Sequence, residues 1–304
     1  MKPRSSILLA LIILTSLLLP SVNAQNKYDK SKVRISWDVD KLKLYHHQPA
    51  LITLYLWTPE MQVQGISEMT RARLDKGKFS MLTHAEFDHS MNIVDKNGTK
   101  WYVYPIDCYA VAMDKAGKYQ LKGGKYAVDL SIPVVYDDPF WGRMQTLQRE
   151  RVEVPVAPLE INVASLPDNK FDSEFSGAVG DFNVDVSVPP GDIYLNEDAV
   201  AIITVSGPGW IQDNVLPEYR EAFGQGTKLK SFTENRRQYV KDGKVISELQ
   251  LECTFIPTSR DNAVIGPVKI EYFNPETGSY ESAVSGKVPV KVQSIAGKAP
   301  IHDI

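Results

Sequence analysis

The chain has 304 residues, 43% of them hydrophobic and 23% charged, a length that suggests roughly two domains and a composition able to build packed cores. A formal charge of −3 argues against nucleic acid or an anionic membrane as partner. Aromatic content of 10%, with 14 tyrosines, tilts the composition toward β structure.

Taken in order, the first 24 residues read as a secretory signal peptide. Lys2 and Arg4 form the positive region, residues 7–19 the apolar core, and Val22-Asn23-Ala24 a small-residue cleavage site before Gln25. The apolar core is short for a membrane span, and an uncleaved anchor is the alternative. Cleavage would remove two basic residues and no acid, so the remainder would be more acidic still.

From Val33 the chain alternates, with Val33, Ile35, Trp37 and Val39 on one face and polar residues on the other, the period of a half-buried strand. A turn at His46-His47-Gln48-Pro49 leads into a second strand, LITLYLW, over residues 51–57. This pattern recurs downstream. Residues 39–57 and 188–206 have equal length, and Tyr45/Tyr194, Ala50/Ala199 and Thr53/Ile202 keep one constant spacing. Residues 101–113 then match 246–258, which sets Cys108 over Cys253. A repeat this long means two domains and not a solenoid. Between these blocks, residues 67–80 and 213–226 read as loops or single-turn helices. Asn97-Gly98 reads as a tight hairpin turn in preference to a glycosylation acceptor.

Cys108 and Cys253 are the only cysteines. Placed on equivalent strands of different domains, they should be too far apart for a disulfide and read as buried thiols. A metal site from His84, Asp88 and His89 has no recognisable ligand spacing. Ser176 lies in no strand-turn-helix context for a nucleophile. Asp137 and Asp138 precede Pro139 as turn residues do, while a pair of glycosidase carboxylates, which need only meet in space, is left open. Residues 135–149 read as a long loop presenting Phe140, Trp141 and Arg143, either as partner anchors or as a cap on the domain's own core. Trp210, after Gly207-Pro208-Gly209, is similar. Residues 154–168, with three prolines, form the linker, whose part 159–163 reads as the last strand of the first domain.

Past the linker, FSGAVGDF (residues 175–182) places two glycines three apart between aromatics. That suits a backbone passing close to a neighbour or adopting positive φ. A strand pattern follows it, so it is no phosphate loop. FSGAVGDF, AIITVSGPGWI (201–211), LECTFIP (251–257) and GPVKIEYFNPETGSYESAVSGKVPVKV (266–292) follow one another in an order that resembles the BatD family (Bacteroides aerotolerance, or oxygen-tolerance, proteins). The likeness is strong over 171–293 and weaker over 33–166. Many members carry a transmembrane helix near the C-terminus; no such apolar run follows Ile295 here. The resemblance implies a periplasmic or cell-envelope protein working with von Willebrand A-domain Bat proteins and a MoxR-type ATPase system in oxygen or stress tolerance.

The expected organisation is a signal peptide over 1–24, β-sandwich domains over 25–166 and 167–295, and a tail over 296–304. The fold class is all-β, two tandem immunoglobulin-like sandwiches. The expected function is a non-catalytic, cofactor-free interaction module whose partner-binding candidates are Phe140, Trp141, Arg143 and Trp210. The rival is a carbohydrate-binding or hydrolase-accessory sandwich, which coplanar exposed Trp141 and Trp210 would favour.

Overall fold

The computed structural model describes residues 29–59, 62–81, 90–168 and 175–293. The expected signal peptide, the tail and the His84–Asp88–His89 group lie outside them. Among the described residues there is no α-helix, only the short 3-10 turns Lys30–Lys32 and Glu221–Phe223. Among the described residues no helix is long and apolar enough to cross a membrane.

The strands of the first half are β1 (Arg34–Val39), β2 (Lys43–Tyr45), β3 (Ala50–Pro59), β4 (Gln62–Thr70), β5 (Arg73–Leu74), β6 (Lys78–Met81), β7 (Asn92–Lys96), β8 (Thr99–Ala112), β9 (Gly117–Lys122), β10 (Lys125–Asp138), β11 (Gly142–Pro155) and β12 (Leu159–Ala164). Those of the second half are β13 (Ala178–Gly180), β14 (Asn183–Ser187), β15 (Ile193–Tyr194), β16 (Ala199–Trp210), β17 (Thr227–Lys241), β18 (Lys244–Pro257), β19 (Val264–Ile265), β20 (Lys269–Asn274), β21 (Ser279–Val284), β22 (Val288–Pro289) and β23 (Val292–Gln293).

In the first half β1-β3-β8 forms one sheet, with β6 and β7 both on β8. β11-β10-β4 and β2-β12-β9-β5 face it. The inward side chains alternate as the sequence period demands. Leu54, Leu56 and Tyr109 meet Tyr126, Val128 and Leu130, while Ala50, Ile52, Val111 and Met113 meet Leu121, Ile161 and Val163. Between β1 and β2 the chain changes sheets, pairing antiparallel with β3 and then parallel with β12.

The second half repeats this scheme. β14 pairs with β16, then β15 pairs parallel with β23, and Ala201, Ile203, Leu249, Leu251 and Phe255 fill its core. The turns before β3 and β16 share two details. His47 (φ 65°) and Asn196 (φ 63°) both take the left-handed conformation that Asn and His enter most readily. Each donates its backbone N–H to a carbonyl at the end of the neighbouring long strand, Met113 just past β8 at 2.8 Å and Pro257 of β18 at 3.0 Å. The molecule is therefore an all-β, immunoglobulin-like pair of sandwiches.

Three sequence expectations are corrected. Residues 67–80 are not loop or helix but parts of β4, β5 and β6. β4 lies at a sheet edge on β10, and its exposed residues Gln64, Ser67, Glu68 and Thr70 dilute its apolar signal. Residues 135–149 are not a long loop but the distal half of the β10–β11 hairpin.

The third correction concerns register. Ala50 pairs with Val111 and Ala199 with Phe255, which sets Cys253 over Tyr109, one residue from Cys108. The slip arises at a bulge. Leu54 opposes Asp107 while Tyr55 opposes Pro105, leaving Ile106 extra, and one residue of slip exchanges the two faces of a strand. Cys253 consequently points into its own sandwich core. Cys108 points out of the first sandwich, beneath Trp210 and Val245. Both thiols are free and buried, and burial pushes each up to about 11.

FSGAVGDF proves to be a crossing point of backbones. Val179 and Gly180 pair antiparallel with Trp210 and Gly209 while Ala178 and Val179 pair parallel with β20. A Cβ on Gly180 would lie 2.4 Å from the Pro208 carbonyl oxygen, and one on Gly209 2.6 Å from the Gly180 Cα.

Candidate partner-binding site

The β10–β11 hairpin runs in unbroken register from Lys125↔Pro155 to Asp138↔Gly142. Only Pro139, Phe140 and Trp141 connect the strands. The Asp138 carboxylate oxygen Oδ1 accepts the backbone N–H groups of Phe140 (2.8 Å) and Trp141 (2.9 Å), an Asx cap on the turn. Proline presets the φ of the first turn residue, and Gly142 at φ 70° supplies the left-handed closing residue of a three-residue hairpin loop. Every position in the turn thus suits its residue, so the tip is held by local chemistry.

That turn leaves both aromatic side chains outward. Phe140 is 90% exposed and Trp141 79%, so neither caps the core of its own sandwich. Arg143 is exposed beside them, opposite Asp137 in the ladder. Exposed Met144 and Leu147 continue the apolar character along β11, an edge strand paired only with β10. Burying a Phe-sized side chain is worth about 1.5–3 kcal/mol. Two adjacent ones left in water are a surplus that a partner could recover.

Trp210 is corrected. It is 4% exposed and packs with Leu51, Cys108, Ala110, Ala112 and Val245 where the second sandwich meets the outer face of β3 and β8. The ladder to Val179 at the end of β16 turns its indole into that junction. Trp141 and Trp210 therefore form no shared groove. Arg236 is half-buried and reaches the Gln212 and Val215 carbonyls, each at 2.8 Å.

Three features were not singled out from the sequence. One is the junction itself. Another is a buried trio in which Tyr126 Oη donates to Asp107 Oδ2 at 2.6 Å and Tyr109 Oη to the same oxygen at 3.2 Å. Desolvation pushes the Tyr109 phenol up to about 12 and raises that of Tyr126 further, so both stay protonated as donors that fix the carboxylate. The third is a pair of tryptophans, Trp57 and Trp101, on the open part of the β3–β8 face. A signal for the outer face exists in LITLYLW: Leu51, Tyr55 and Trp57 are apolar on one parity and Ile52, Leu54 and Leu56 on the other, as in strands covered on both sides. Among the described residues no group of three His, Cys, Asp or Glu could hold a metal ion.

No protein-family model and no curated protein matches the chain. Among solved structures it is similar to the type II cohesin dyad of the adaptor ScaA scaffoldin of Acetivibrio cellulolyticus (8% identity, 78% of this chain and 88% of that one, TM-score 0.21). It is also similar to the Yersinia pseudotuberculosis adhesin InvE (11% identity, 86% and 60%, TM-score 0.20). A third is the Enterococcus faecalis MSCRAMM ACE (13% identity, 87% and 98%, TM-score 0.18). Scores this low carry no argument about binding, and the fold assignment rests on the ladders themselves.

Proposed function

We propose that this chain is an exported, non-catalytic interaction module of BatD type, docking onto envelope proteins through the tip of its β10–β11 hairpin. The observation that carries the proposal is the pair Phe140 and Trp141, exposed together on a turn fixed by Asp138, Pro139 and Gly142. Interface energy concentrates in large aromatic and arginine anchors, and an anchor already held in its bound geometry loses less entropy on docking. The BatD resemblance names the partners to try first, von Willebrand A-domain Bat proteins working with a MoxR-type ATPase, in the periplasm.

The test measures capture of a purified von Willebrand A-domain partner and melting temperature on one preparation. Phe140→Ala with Trp141→Ala should weaken capture by about 2 kcal/mol or more and leave the melting temperature unchanged, because neither side chain is packed. Unchanged capture, or a fall in melting temperature that accounts for the loss, would remove the hairpin tip as the docking site.

A further inference from the structure

The β1-β3-β8 sheet turns one face to its sandwich core and the other outward. Part of the outward face is covered by the second sandwich at Leu51, Cys108, Ala110 and Ala112; the rest is partly open, with Trp57 and Trp101 half-buried and Arg34 and Lys96 exposed. On the open part the ladders place Arg34 opposite Trp57, and Val94 opposite Trp101, which itself faces Pro59. The two indoles meet edge to face, centroids 6.4 Å apart, and Trp57 Nε1 is tethered to Ser36 Oγ at 2.9 Å. Arg34 Cζ lies 5.4 Å from the Trp57 centroid and 5.0 Å from that of Trp101. Lys96 Nζ lies 4.2 Å from the Trp57 centroid, at the end of the β7–β8 hairpin closed by Asn97-Gly98.

Neither cation has an acid partner among the described residues. Several other basic side chains on these sheets are paired, as in Lys125–Glu153, Arg151–Asp129, Lys230–Asp198, Arg237–Glu248 and Lys269–Glu271. In a chain whose acids outnumber its bases, 37 to 34, two exposed cations converging on one ring are a departure. Cation–π attraction holds them in place but does not neutralise their charge. Both keep donors free for an anion, and the guanidinium presents a fork that matches a carboxylate.

We propose that this face binds an acidic polysaccharide, one whose sugars carry carboxylates in the manner of a polyuronate. The site lies on the face of a sheet, which suits an extended polymer better than a small molecule. Its half-buried indoles offer the ring surface that the two cations leave uncovered to the C–H faces of sugar rings, while Arg34 and Lys96 answer the carboxylates. An acidic peptide would meet the same cations but would lie on the face of a sheet whose backbone amides are already paired, with no edge on which to add a strand. A bare phosphate would leave the aromatic floor unused. The surface is separate from the Phe140–Trp141 tip, so this inference stands or falls independently of the docking proposal.

Affinity electrophoresis of the whole chain through gels containing polygalacturonate, neutral dextran, polyglutamate of matched charge or inorganic polyphosphate tests it. Polygalacturonate should retard the chain most and shift its tryptophan emission. Arg34→Gln with Lys96→Gln, both exposed positions, should weaken that retardation at least tenfold at unchanged melting temperature. Trp101→Phe should weaken it with both cations still present. Equal retardation by polyglutamate or polyphosphate would reduce the site to bulk electrostatics and overturn the inference. So would retardation by dextran, no retardation by polygalacturonate, or a double variant that binds as well as the parent.

Discussion

Gly180 and Gly209 occupy the point where β13 crosses β16, and neither can carry a side chain without moving backbone. The atoms a Cβ would strike are the Pro208 and Val179 carbonyl oxygens, at 2.4 and 2.5 Å, and the glycine Cα atoms themselves. A carbonyl already set in a ladder cannot rotate away as the end of a flexible side chain could. Gly180→Ala is therefore expected to destabilise by about 3 kcal/mol, the upper end of the usual overpacking cost. Gly191→Ala, where nothing lies within 4 Å, should be neutral within about 0.5 kcal/mol. Urea unfolding of the two variants checks both; equal stability for Gly180→Ala would mean that the crossing is looser than it stands here. The need for two close glycines was legible in FSGAVGDF because only a missing side chain permits such proximity. What they approach was not, since Pro208 and Gly209 are remote in sequence and nothing local marks them as the other half of the contact.

At the scale of elements, the turn leading into β3 ties the first sandwich to the segment leaving it. His46 donates its backbone N–H to the Ala164 carbonyl at 3.0 Å, and its Nδ1 accepts the Leu166 N–H at 3.3 Å. Only a neutral imidazole can accept there, and burial lowers the His46 pKa below its ordinary 6.5. An unfolded histidine takes up its proton at about 6.5, before the folded one does. Stability is thus fully present above that pH and declines as pH falls toward the folded value, below which the loss is complete. His46→Gln removes this titration, so the difference in melting temperature between parent and variant should shrink as pH is lowered from 7.5 to 5. A difference independent of pH would show that His46 stays neutral in both states or is charged in both.

Strands of this kind were readable where alternation was clean, as in β1, and where Asn97-Gly98 forced a two-residue turn. They were not readable in β4, whose exposed residues mix Gln64, Ser67, Glu68 and Thr70 with Met69, nor in the distal part of β11, where both faces are solvated. A strand with no buried face leaves no periodicity to find. The bulge at Ile106 was likewise invisible, and it alone moved Cys108 to the opposite face of its strand.

For the whole molecule, the question is whether the two sandwiches behave as one body. Their shared cluster is apolar on both sides: Leu51, Cys108, Ala110 and Ala112 from the first, Trp210 and Val245 from the second. Two further contacts flank it, Tyr45 edge-on to Phe273 at 4.9 Å between ring centroids and Tyr280 Oη on the Pro167 carbonyl at 2.9 Å. Interfaces between domains of one chain are commonly polar and mobile unless a hydrophobic contact fixes them, and here the largest side chain in that contact is Trp210. Removing it exposes small residues, alanines and a cysteine, that cannot collapse into the space of an indole. Trp210→Ala should cost about 3–5 kcal/mol. Because the loss falls at the junction and not inside either core, it should also separate the unfolding of the two halves. Calorimetry is then expected to show one cooperative transition for the parent and two for Trp210→Ala, with the linker around Pro167 newly open to protease. The sandwich cores in the variant keep their own contacts, Leu54 with Tyr126 in one and Leu251 with Phe255 in the other, so each half retains a reason to stay folded. A single transition at a lower temperature would place the contribution of Trp210 within the second sandwich and leave the junction without its proposed coupling role.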